Sequence, residues 1–213
     1  MINQIHHSTS LKIIIPVLLH ISFSCFGQEN SKKPAHDMSN HSMQVSYGYP
    51  DSINQGLLTI DHLQGSPGRQ AMNTIGGCHV HIEYSSPGVR GRIVWGGLVA
   101  MDQPWVTGAH MATSLQINRP IKINNKLIPA GKYALFTIPG KNEWKFIINR
   151  NYKQHLTDEY NEKLDILRMT VIPQENVMTP RLTYTVDKIS ERAGTITMAW
   201  EKLKINVPFS ITR

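Results

Sequence analysis

His79-Val80-His81-Ile82-Glu83 sets two imidazoles and a carboxylate at alternate positions. Side chains alternate along a strand, so His79, His81 and Glu83 share one face while Cys78, Val80, Ile82 and Tyr84 take the other. Rings at i and i+2 stand about 7 Å apart, a spacing that suits two ligands converging on one divalent ion. The same pattern also serves as a plain polar outer face over an apolar inner one. His110 closes Trp105-Val106-Thr107-Gly108-Ala109-His110, where small residues let a side chain reach over a sheet end. His155 is followed by Asp158 and Glu159, which on a helix are its i+3 and i+4 neighbours and could orient or assist the ring.

A second group of soft donors lies near the N-terminus. His36-Asp37-Met38-Ser39-Asn40-His41-Ser42-Met43 repeats His-x-Met at a spacing of five. Thioether with imidazole suits Cu(I), and imidazole with carboxylate accepts Cu(II) or Zn(II). Other chemistries have no signature here: the chain lacks a Gly-x-Ser-x-Gly elbow, a Walker-type loop and a dinucleotide fingerprint. Arg90-Gly91-Arg92 and Gly96-Gly97 read as a strand start and a bulge. Trp95, Trp105, Trp144 and Trp200 are dispersed over strand positions, as core residues are.

These residues need a frame to hold them. From Leu57 onward, short runs rich in Ile, Val, Thr and aromatics alternate with turn residues. The candidate strands are Cys78–Tyr84, Arg92–Val99, Thr113–Asn118, Lys132–Ile138, Trp144–Asn149, Ile166–Ile172, Arg181–Asp187, Thr195–Trp200 and Lys204–Phe209. Their short, even spacing predicts an all-β fold, an antiparallel β-sandwich of about nine strands. Asn124-Asn125 between Ile121–Ile123 and Leu127-Ile128 predicts a tight hairpin. One short helix is expected after Asn151, running through His155 and Glu162.

The 213 residues carry 40% hydrophobic and 17% charged side chains, the profile of an ordinary globular chain rather than a disordered, coiled-coil or multi-span one. Formal net charge is +7, but the cations are scattered rather than clustered as in a nucleic-acid module. Ile13–Leu19, preceded by Lys12, is too short for a membrane span and fits the apolar stretch of a secretory signal over residues 1–27. Two processing routes stand open: cleavage after Gly27, or lipidation of Cys25. Either places the protein outside the cytoplasm, in the periplasm or cell envelope. Residues 28–56 are polar, with no period, and read as a tether leading to a single domain over 57–213. Removal of the signal leaves Cys78 as the one thiol, so no internal disulfide is expected and Cys78 reads as a small core residue.

Between Ser66 and Pro173 the chain resembles a family of exported bacterial proteins known as domain of unknown function 2911. The residues that carry the resemblance are Ser66-Pro67, Ile75-Gly76, Tyr84 through Arg92, Trp95 through Val99 and Trp105 through Ala109. Further along come Pro129 through Tyr133, Phe136 through Gly140, Glu143-Trp144 and Leu167-Arg168. The resemblance implies an exported, mostly β domain and no assigned activity. The chain departs from the family pattern at Val106, His110 and Met111, where Arg, Asn and Glu are usual, and around Gln154-His155, where a Trp-Gly pair is usual. Two polar positions thus become histidine together. This joint departure leads to the expectation that His81, His110 and His155 meet around a Zn or Cu ion, with His79 or Glu83 nearby. Three readings of function follow. The first is a transition-metal-binding protein whose tether (His36, Met38, His41, Met43) collects or delivers the ion. The second is a metal-dependent hydrolase, with Glu83 or Asp158 as base to a metal-activated water. The third is a non-catalytic envelope module with incidental histidines.

Overall fold

Asn124 and Asn125 both adopt left-handed backbone, with φ of 45° and 64°, the conformation that a two-residue hairpin turn requires. They join β4 (Ile121–Ile123) to β5 (Lys126–Ile128) as the spacing predicted. A computed structural model describes residues 48–212, and its ten strands form two antiparallel sheets. One sheet has six strands. β1 (Gly68–Ile75), β2 (Cys78–Ser85), β3 (Ser114–Ile117), β6 (Gly131–Ile138), β7 (Trp144–Asn149) and β8 (Asp165–Val171) lie side by side in that order. The other orders β5, β4, β10 (Ala193–Ile211) and β9 (Gln174–Ser190). The fold is an all-β sandwich, with one short α-helix, α1 (Tyr49–Asn54). No helix among the described residues is long and apolar enough to cross a membrane.

The core lies between the sheets. Val80, Ile82, Leu115, Leu135, Phe146 and Ile148 from the six-stranded sheet pack on Leu182, Tyr184, Ile196, Val207 and Phe209 from the other. Cys78 is buried among them, and desolvation pushes its thiol pKa up, so it behaves as an apolar side chain. The four tryptophans do meet: Trp95 contacts Trp105, Trp144 and Trp200, and Trp105 stacks on Trp200 at 5.7 Å. β6 reads as a nearly unbroken apolar run because it is covered on both sides. Its outward Ala134 and Phe136, with Ile147 of β7, form a second, smaller cluster under Val106 and Ala112 of the long β2–β3 connection.

Several expectations needed correction. β1 was not foreseen: GRQAMNTI is polar at most positions, as an edge strand with one exposed and one half-buried face can be. Arg92–Val99 is not a strand but a wound loop. Val94 O accepts from both Gly97 N and Val99 N, and Gly96 sits at φ 81°. Thr195–Trp200 and Lys204–Phe209 belong to the single long strand β10, bent by register shifts near Glu201. No α-helix follows Asn151; the segment makes turns, a single bridge from His155 to Met111, and a 3₁₀ turn at Glu162–Leu164. Tertiary pairing there outweighs the helical spacing. The packed region also starts before Leu57, since α1 lies within residues read as tether. Asn54 pairs its side chain with the Arg181 backbone in both directions at 2.8 Å, and Asp51 meets Arg69 at 2.7 Å.

Candidate functional site

Arg181 of β9 is fully buried. Its guanidinium donates to Gly65 O (3.0 Å), Ser86 O (3.0 Å), Leu63 O (2.6 Å) and Asp61 Oδ1 (2.8 Å), and it lies 5.6 Å from the Tyr49 ring centroid. A buried charge persists only when paired and hydrogen-bonded, and here the pairing ties the segment before β1 to the start of the β2–β3 connection. Val89 N–H donates to Pro180 O and Leu182 N–H to Pro87 O, fastening the same loop along β9. Gly88 sits against the hub: a Cβ there would stand 2.5 Å from Asp61 Oδ2.

Above this hub the loops enclose a cavity of about 280 Å³. Arg90, Arg92 and Gln64 form its polar rim; Trp105, Trp200, Leu98 and Leu156 supply the apolar wall. Arg90 donates from Nη1 to Gln64 O (3.1 Å) and from Nη2 to Gln64 Oε1 (2.7 Å). Arg92 donates from Nε to Val89 O (3.2 Å) and from Nη2 to Gly88 O. These acceptors are neutral, and among the described residues neither arginine stands in an ion pair. Of the residues lining the cavity, Arg90 (φ 48°) and Leu156 (46°) hold left-handed backbone, and Thr107 (49°) and His110 (62°) flank the lining pair Gly108-Ala109 in the chain. Non-glycine residues adopt that conformation at a cost, and such strain concentrates where loops are shaped for a ligand. Trp200 Nε1, on the cavity wall, is buried without a hydrogen-bond partner. Among the described residues, no carboxylate, thiol or imidazole lines the cavity. It can orient a small molecule and hold it.

The histidines are distributed differently from the expected cluster. His79 and His81 do share the outer face of β2, with ring centroids 6.0 Å apart. His79 Nδ1 lies 3.2 Å from Thr74 Oγ1, and His81 Nε2 is buried without a partner. His110 and His155 are neighbours on the β2–β3 connection and the segment after β7, joined by the Met111–His155 bridge and by Leu156 N–H donating to His110 O (2.7 Å). Both rings are exposed, and His155 Nδ1 sits 3.0 Å from Asp158 Oδ2. Among the described residues no group of three or more His, Cys, Asp or Glu side chains could hold a metal ion. His79 and His81 thus share a strand face, while His110 and His155 are neighbours through their backbones. The loop bearing His110 is anchored over β6 and β7 by Val106 and Ala112, and His110's left-handed backbone goes with a ring exposed to solvent. His36, Met38, His41, Met43, Cys25 and the whole signal segment lie outside the described residues.

An open cleft of about 810 Å³ lies against the six-stranded sheet, lined by Met111 and Tyr152 and by charged groups from β1, β2 and β6. Glu83 accepts from Lys132 Nζ (2.5 Å) and Ser114 Oγ (3.1 Å). The hydrogen bond from Lys132 is the main cause that holds its carboxyl below the ordinary glutamate range. Glu83 thus stays ionised and is a poor proton acceptor, which weakens it as a catalytic base. Asp158, the other candidate base, is paired with His155 at the surface.

Sequence reasoning missed Arg181, Gln64 and Trp200, and took Arg90-Gly91-Arg92 for a strand start where the chain makes a turn. A signal was present all the same. Ser66, Pro87, Gly88, Arg90, Arg92, Leu98, Val99, Trp105, Gly108 and Ala109 all line the cavity, and all belong to the short runs that carry the family resemblance. The fold and this cavity define a β-sandwich domain with a small cavity among the loops at the Arg181 hub. The family model described as Protein of unknown function (DUF2911) matches residues 66–209, and the chain belongs to that family. No curated protein and no solved structure matches the chain.

Proposed function

We propose that this protein is an exported, non-catalytic binding module and that its ligand seats in the cavity bounded by Arg90, Arg92, Trp105 and Trp200. One observation carries the reading. The short runs that carry the family resemblance, dispersed from Ser66 to Ala109, come together around this space, where Arg90 and Leu156 also hold left-handed backbone. A library of small polar and aromatic molecules, screened by amide chemical-shift mapping, tests it. Saturable shifts centred on Gly88, Gly108 and Leu156 are expected; shifts confined to the outer-face cleft would reject the assignment. Export rests on the apolar run before Cys25, and fractionation of cells producing the full chain, with and without Cys25→Ser, tests both release and anchoring.

Transition-metal binding is a second reading, supported by the His79–His81 pair on one rigid strand. Two imidazoles leave the ion to complete its sphere with water or with donors from elsewhere. Elemental analysis of tag-free protein should then show Zn or Cu lost in His79→Ala/His81→Ala and retained in His110→Ala. Equal content in all three proteins would remove this reading.

A further inference from the structure

The ligand's chemical class can be read from the rim of the cavity, on the assumption that the cavity is the binding site. A guanidinium carries five N–H donors. Arg90 spends two on Gln64, and Arg92 spends two on the carbonyls of Val89 and Gly88. Three donors remain on each. The bonds already made fix each side chain without cancelling its charge, because every acceptor is a neutral oxygen. The cations bordering the outer-face cleft behave otherwise: Arg69 is paired with Asp51 and Lys132 with Glu83. Two oriented, uncompensated guanidinium groups beside one small space form an anion site, and the planar fork matches a carboxylate in bidentate geometry.

The opposite wall sets the rest of the molecule. Trp105 and Trp200 stack with 23° between their planes, and Leu98 and Leu156 extend the apolar surface. A volume of about 280 Å³ lies just below the range for small-molecule sites, roughly 300–1,000 Å³, and so limits the ligand to a small one. We infer that the cavity binds a small organic carboxylate with a flat or compact apolar body, its carboxylate held by Arg90 and Arg92 and its body against the indoles of Trp105 and Trp200.

Phenylacetate and its neutral isostere phenylacetamide separate charge from shape, with tryptophan fluorescence and amide shift mapping as readouts on the full domain. Phenylacetate should bind at least tenfold more tightly than the amide, and added salt should narrow the difference. Arg90→Gln and Arg92→Gln should each erase most of that preference. Both side chains sit at the rim and leave the Arg181 hub intact, and an unchanged amide spectrum elsewhere verifies the fold. Equal binding of the two compounds at Gly88 and Gly108 would overturn the carboxylate assignment and leave the cavity as the site. Absence of saturable shifts around the cavity with either compound would overturn both.

Discussion

The outer-face cleft and the loop-end cavity are both bordered by two cations, and they use them in opposite ways. In the cleft, Arg69 and Lys132 each face a carboxylate at 2.7 and 2.5 Å. In the cavity, Arg90 and Arg92 are anchored only by neutral oxygens. Side chains of the cleft's Lys132–Glu83 pair are 31% and 45% exposed, and pairs of that kind contribute at most about 1 kcal/mol. An oriented guanidinium without a counter-charge contributes little to folding and retains its attraction for an incoming anion. The larger hollow is therefore the less informative one. Size alone favours the cleft; uncompensated charge, stacked indoles and strained backbone favour the cavity.

The sharpest way to break this contrast is to remove the hub beneath the cavity. Arg181→Met strands Asp61, which is 9% exposed, and leaves three backbone carbonyls without their donor. Urea denaturation should register a loss of about 3–5 kcal/mol, as when one partner of a buried ion pair is removed. A loss below about 1 kcal/mol would show that the loops do not depend on the hub. Gly97→Ala comes next. Its Cβ would lie 2.4 Å from Ile93 O, a backbone atom that cannot step aside cheaply. A cost of about 1–3 kcal/mol is expected, together with weaker ligand binding. Gly68→Ala, beside the cleft, meets nothing within 4 Å and should leave both stability and binding nearly unchanged.

Smaller effects belong to the cleft. Lys132→Met frees Glu83, and a carbon-13 titration should find its pKa moved up toward the ordinary glutamate value. Because the folded-state pKa is lowered, the pair's contribution is present above the unfolded glutamate pKa. It fades as the pH falls through the folded value. The stability difference between wild type and variant, up to about 1 kcal/mol at neutral pH, should vanish in acid. A difference independent of pH would mean that Lys132 acts through its alkyl stem on Tyr152, whose ring centroid lies 5.7 Å from Nζ. Smallest of all, His79→Ala should shift stability by no more than about 0.5 kcal/mol, since its ring is exposed and, among the described residues, its one side-chain hydrogen bond is with Thr74. A larger change in calorimetry would give that imidazole a structural part.

Local rules in the sequence were enough to define much of the scaffold. Period-two alternation placed His79, His81 and Glu83 on one face of β2, and paired asparagines marked the β4–β5 turn. Trp144–Asn149 is a strand with the boundaries that its apolar run predicts. Each depends on neighbours within a few residues, where backbone geometry leaves little choice. Partnership across the chain was decided only by folding. Whether His110 joins His81 or His155, whether Arg90 meets a carboxylate or a carbonyl, and whether residues 92–99 extend or coil all depend on what the opposing loops present. Arg181 illustrates the limit: in sequence it is an arginine at a strand start, and only the approach of Leu63, Gly65 and Ser86, more than ninety residues away, makes it the buried hub on which the candidate site rests.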